Sequence, residues 1–109
     1  MIAGAEHSDT YDASRDYLAH RCWDYGVMFS TAGNILVQDH IKGRYVMMHH
    51  NHLKILCKEW YVQGGFPLRG KALEKHVLEY IHDAIEVVRN MKKNGEDGKI
   101  IPFNREFLS

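Results

Sequence analysis

The sequence predicts a single, mainly α-helical domain of three or four helices. Its 109 residues match the usual size of one domain, and a hydrophobic content of 45% is enough for a small core. Along most of the chain the apolar residues recur every three or four positions, which is the period of an amphipathic helix. We expect residues 1–109 to form this one domain, with residues 1–8 as a flexible arm and residues 100–109 as an apolar tail that docks on the body or on a partner.

Three segments carry the helical pattern. The first helix is expected to begin at Asp9, because acidic residues near a helix N-terminus interact favourably with its dipole, and to end or bend at Gly26. The second is expected over residues 44–63, where the Gly64-Gly65 pair ends it. The third and longest is expected over residues 71–93.

Residues 27–38 fit two different structures. As a helix, this segment keeps the three-to-four spacing of the residues before it. As a β-hairpin, two short apolar runs flank Ala32-Gly33-Asn34, which has the composition of a tight turn. We favour the helix because the neighbouring segments are helical and a lone hairpin is marginally stable. An α+β fold containing the hairpin is the alternative.

The charge composition restricts the classes of partner. The chain has 14 basic and 14 acidic residues, so it lacks the basic excess of a non-specific nucleic-acid binder. Residues 1–40 carry six acids and two bases, a net charge of −4, and the remainder carries +4. Either these halves pack together within one monomer, or they form a homo-oligomer through complementary surfaces; we favour the homo-oligomer.

Hydropathy and cysteine content predict a soluble cytoplasmic protein, in the host cell if the protein is viral. The chain contains no apolar run of about 18 residues, and its first residues lack the pattern of a signal peptide. No membrane association is expected. Cys22 and Cys57 each lie within an apolar pattern, as buried thiols do.

A group of aromatic and basic residues surrounds the Gly64-Gly65 turn and predicts a protein-binding surface. Aromatic residues and arginine dominate interface hot spots. The residues concerned are Trp60, Tyr61, Phe66, Arg69 and Lys71, joined by Phe103 and Phe107 of the tail. The same group could instead stack on a nucleotide, or Trp60 and Phe66 could close the core at a helical corner. We favour a small accessory or regulatory protein that acts by protein contact without a cofactor; chains of this kind are common in phages and mobile elements.

The eight histidines raise the alternative of a metal site. Residues 47–52 contain His49, His50 and His52, and imidazole binds several transition metals. On a helix at most two of the three share a face, so a closed zinc site would need ligands from elsewhere in the chain. We therefore expect these histidines to be exposed or hydrogen-bonded.

A second alternative is enzymatic and comes from a short motif. Asp39-His40-Ile41, followed by residues 51–57 (Asn-His-Leu-Lys-Ile-Leu-Cys), resembles the pattern of HNH endonucleases. The resemblance implies a divalent-metal-dependent phosphodiester hydrolase in which His40 is the general base and Asp39 and His52 bind the metal. The chain departs from the pattern because it lacks the intervening Gly-Gly pair. The resemblance also requires the hairpin at residues 27–38.

Overall fold

The computed structural model describes residues 3–93 and 99–100, with side chains described for residues 10–90. Over these residues the chain forms three helices and four short strands. In chain order they are α1 (Ala3–Tyr25), β1 (Val27–Ser30), β2 (Ile35–Asp39), β3 (Arg44–Met47), α2 (His50–Gln63), α3 (Gly70–Lys93) and β4 (Lys99–Ile100). The described strands form an antiparallel sheet in the order β3-β2-β1-β4. The predicted mainly α fold is confirmed.

The helix favoured for residues 27–38 is wrong, and the alternative hairpin is correct. Strands β1 and β2 pair in the register Val27↔Val37 and Phe29↔Ile35. Gly33 turns the chain with a positive φ of 89°, a conformation that few other residues adopt readily. The hairpin is not isolated, because β3 and β4 pair on either side of it and helices cover one of its faces. These neighbours remove the instability of a lone hairpin.

The second helix begins later than predicted. Residues 44–47 form β3, which pairs with β2 from Asp39↔Arg44 to Leu36↔Met47. Helix α2 starts only at His50, after His49 in an extended conformation. Gly43, with a φ of 68°, reverses the chain between β2 and β3, so the segment after it continues as a strand. The prediction of a helix from residue 44 is therefore wrong for its first turns, whereas its end at Gln63 is correct.

The other helices agree more closely with the prediction. Helix α3 spans Gly70–Lys93, within one residue of the predicted range. Helix α1 begins at Ala3 and therefore includes residues 3–8, which the sequence assigned to a flexible arm. The predicted docking tail lies outside the described residues except for Ile100 in β4. No helix in the described part of the chain is both long enough and apolar enough to cross a membrane.

The core lies between the three helices and the inner face of the sheet. Alternate strand residues point to opposite faces, and the inward ones are buried with the apolar stripes of the helices. The fully buried side chains include Leu18, Cys22, Val27, Phe29, Ile35, Leu53, Cys57, Tyr61, Val77 and Val88. The helices therefore cover the inner face of the sheet, where the buried side chains of its strands lie.

Candidate binding surfaces

The predicted corner at residues 60–71 divides into core and surface. Trp60 and Tyr61 are only 5% and 1% exposed. Tyr25 packs on the Trp60 ring with centroids 5.6 Å apart, and the Arg21 guanidinium lies 5.4 Å from the same ring. Neither ring of the 60–61 pair can contact a partner in this conformation. For these two residues the alternative role, closing the core, describes the structure.

The remaining residues of the corner organise a turn. Phe66 is half-buried between Tyr17 and Tyr61, with ring centroids 5.7 and 5.3 Å away. The Arg69 Nη1 donates hydrogen bonds to the carbonyl oxygens of Phe66 and Leu68 at 2.6 and 2.7 Å. Arg69 and Lys71 are thus the exposed basic residues of the predicted surface. Phe103 and Phe107 lie outside the described residues.

The structure does not bring together the residues of the predicted hydrolase site. Asp39 and His40 lie at the turn between β2 and β3, where the Asp39 carboxylate accepts the backbone N–H groups of Ile41 and Lys42. His52 lies in the first turn of α2. Because α2 follows the far end of β3, these groups are separated by the length of the β2–β3 ladder, roughly 10 Å at 3.3 Å per residue. The hydrolase remains a hypothesis that this placement does not favour.

The histidine run has a structural role at its first member. His49 is the N-cap of α2, and its Nδ1 accepts the backbone N–H of Asn51 at 3.0 Å. His50 and His52 are exposed. Among the described residues, no three His, Cys, Asp or Glu side chains converge where they could hold a metal ion.

The buried cysteines form a polar cluster with Tyr80. A hydrogen bond between the Cys57 and Cys22 thiols, together with burial, raises the pKa of the Cys57 thiol. Burial, together with the neighbouring thiols, raises the pKa of Tyr80. The Tyr80 hydroxyl is buried without a hydrogen-bond partner. Since the thiolate is the reactive form of cysteine, this environment keeps the Cys57 thiol unreactive.

The outer face of the sheet carries apolar side chains that sequence reasoning missed, of which Met47 is exposed and Met28, Leu36 and Tyr45 are half-buried. Met28, Leu36 and Met47 are cross-strand partners, so their side chains lie in one row on one face. They alternate with Val27, Phe29 and Ile35, which are buried on the other face. Met47 is 66% exposed. We call Met28, Leu36, Tyr45 and Met47 the outer apolar face.

A recess adjoins the outer apolar face at the end of α1. It has a volume of about 220 Å³ and is lined by Trp23, Met28, Gln38 and Tyr45 together with the backbone near Gly26. The Trp23 side chain is 58% exposed. The signal for this surface was present in the sequence as alternate apolar residues in 27–47. Because both faces of the strands are apolar, that alternation did not stand out from a helical pattern.

Comparison of the chain with protein-family models, curated proteins and solved structures found no match. The surfaces of the molecule itself are therefore the guide to its function.

Proposed function

We propose that this chain is a small accessory or regulatory protein that acts by binding a short apolar segment of a partner protein. The observation that supports this is the outer apolar face, in which Met47 is two-thirds exposed and Met28 and Tyr45 also line the Trp23 recess. A single bulky side chain of the partner would fill the recess, as an anchor residue does in an interface hot spot.

The size of the surface determines the kind of partner. The outer apolar face consists of four side chains on three adjacent strands, so it measures roughly 10 Å in each direction. Its area is on the order of 100 Å² at this strand spacing, whereas a stable interface between folded proteins buries about 800 Å² on each side. A short segment with one bulky apolar anchor fits this area better than the surface of a folded domain.

Selection from a random peptide library displayed on phage tests the proposal. Peptides enriched on the wild-type protein are expected to share one bulky apolar residue. They are expected to lose binding to Met47→Glu, which places a charge on the outer apolar face, and to Trp23→Ala, which removes a wall of the recess. Ile55→Glu is the matched control, because Ile55 is an exposed apolar residue (53%) on α2 and not on the sheet.

Two results would contradict this function. One is the enrichment of no peptide at all on the wild-type protein. The other is the enrichment of peptides that bind Met47→Glu as well as they bind Ile55→Glu. Circular dichroism checks that each variant retains the fold, as expected because all three substituted side chains are exposed.

We further propose that the protein is cytoplasmic and self-associates through its oppositely charged halves. The Arg15–Asp83 ion pair, at 3.0 Å, takes a base from the acidic half and an acid from the basic half. It therefore leaves the charge difference between the halves in place. This difference supports an electrostatic contact between two copies.

A further inference from the structure

A second recess lies where α1 and α3 meet the turn at residues 66–68. Its volume is about 390 Å³, within the range of small-molecule sites. It is lined by Ser14 and His76 at its floor, by Tyr11, Tyr61 and Leu68 along its walls, and by residues of the first turns of α3. This recess is separate from the outer apolar face, so binding of a ligand in it is independent of the proposed binding of a partner segment.

The floor of this recess is a pair of buried polar side chains. Ser14 and His76 are 1% and 5% exposed, and the Ser14 Oγ lies 2.9 Å from the His76 Nε2. The Ser14 hydroxyl also donates to the Tyr11 carbonyl oxygen at 2.9 Å. Because the single hydroxyl proton is used in that bond, His76 Nε2 is the donor to Ser14 Oγ. The two side chains satisfy each other, and the floor therefore does not require a polar group from a ligand.

The walls of the recess are aromatic and held in place. The rings of Tyr11 and Tyr61 meet the His76 ring edge to face, with centroids 5.1 and 5.3 Å away. The Tyr61 hydroxyl accepts the Leu68 backbone N–H at 3.2 Å, which fixes the turn against the ring. Rings in this arrangement attract a further aromatic group through edge and face contacts. The interior thus favours an aromatic side chain.

Among the described residues, the rim carries one positive and one negative charge. Lys75 and Glu79 both line the recess and are exposed, one helical turn apart on α3. Residues four apart on a helix are neighbours, so both charges can face a single small molecule. The charges of the described lining residues cancel, which does not favour a phosphate or a simple carboxylic acid. It matches a ligand that carries an ammonium and a carboxylate on adjacent atoms.

We propose that this recess binds a free α-amino acid with an aromatic side chain. The side chain lies against the half-buried Tyr11 and Leu68, the carboxylate faces Lys75, and the ammonium faces Glu79. The walls of the recess thus select the aromatic side chain of the ligand, and the charges of the rim select its carboxylate and ammonium groups.

Calorimetric titration with L-phenylalanine as the probe tests this site. Phenethylamine lacks the carboxylate and 3-phenylpropionate lacks the ammonium, and each is expected to bind about two- to fivefold more weakly, as for an exposed ion pair. The imidazole signals of His76 in the NMR spectrum are expected to shift on addition of L-phenylalanine. Ala72→Trp, which fills the recess from an exposed position, is expected to abolish binding.

Ala13→Trp is the matched control, because Ala13 is an exposed alanine of α1 outside the recess. It is expected to bind L-phenylalanine as the wild-type protein does. Absence of binding to the wild-type protein would overturn the proposal. Equal binding of the three probes would overturn the role of the rim, and retained binding by Ala72→Trp would place the ligand elsewhere.

Discussion

Gly64 shows how closely the aromatic rings pack around the turn that follows α2. Its φ of −75° suits any residue, so backbone conformation does not require glycine here. A Cβ at this position would lie 2.8 Å from ring carbons of both Tyr17 and Phe66, which is closer than van der Waals contact allows. The space between these rings explains why a glycine occupies the position.

We predict that Gly64→Ala lowers the free energy of unfolding by about 1–3 kcal/mol, the usual cost of overpacking. Urea denaturation measures this change. Gly65→Asn is the control, because Gly65 has a φ of 82° with open space around its Cα and asparagine tolerates that conformation. An alanine at position 64 that costs no more than the control substitution would show that the rings do not confine this site.

At Tyr80 a buried hydroxyl opposes stability. We predict that Tyr80→Phe raises the free energy of unfolding by about 1 kcal/mol at neutral pH, since an unsatisfied buried hydroxyl carries a desolvation cost. Burial raises the pKa of Tyr80 in the folded protein, so above the ordinary tyrosine pKa of about 10 the unfolded chain loses its proton first. Stability must then fall as the pH rises through this range.

Urea denaturation between about pH 8 and pH 11 checks both parts of the Tyr80 prediction. The wild-type protein is expected to lose stability in the alkaline range, and Tyr80→Phe to lose less. Part of the loss should remain in the variant, because the pKa of Cys57 is also raised. The same alkaline slope in both proteins would mean that Tyr80 is not buried in the folded protein.

At the scale of the element, a histidine side chain begins α2. His49 caps the helix by accepting the Asn51 N–H. We predict that His49→Ala lowers the unfolding free energy by about 0.5–1 kcal/mol and that His49→Asp restores it, since aspartate is among the best N-caps and its charge favours the helix N-terminus. Thermal or urea denaturation at about pH 8 measures both. A loss of equal size in His50→Ala, a neighbouring exposed histidine, would argue against capping.

At this scale, strands β1 to β3 are harder to predict from the sequence than helix α3. Helix α3 was predicted to within a residue of its start, because its polar and apolar faces differ strongly over many turns. Strands β1, β2 and β3 have apolar side chains such as Met28 and Leu36 on the outer face as well as on the buried one. Because both faces are apolar, the alternation of apolar and polar residues that marks a strand is weak. The turns at Gly33 and Gly43 were the better indication of strands.

At the scale of the whole molecule, the charge difference between the halves predicts an association that depends on salt. We expect self-association at low ionic strength, with the dissociation constant rising at about 0.5 M salt because the screening length then falls well below 10 Å. Sedimentation equilibrium over a range of protein concentrations measures this. Asp12→Asn and Asp16→Asn together should weaken the association by reducing the acidic charge. A protein that stays monomeric at all concentrations in low salt would refute the predicted self-association.

The amino-acid sequence was sufficient to predict a mainly helical single-domain chain, the end of α2 at Gln63 and the extent of α3. These features follow from local spacing and from glycine at helix ends, which do not depend on the rest of the chain. Tertiary structure alone decided that residues 27–47 form strands, because each strand is stabilised by neighbours distant in sequence. It also decided that Trp60 and Tyr61 are core, while Met47 and Trp23 are exposed. Burial depends on which faces meet, and a sequence pattern does not specify which of two apolar faces is covered.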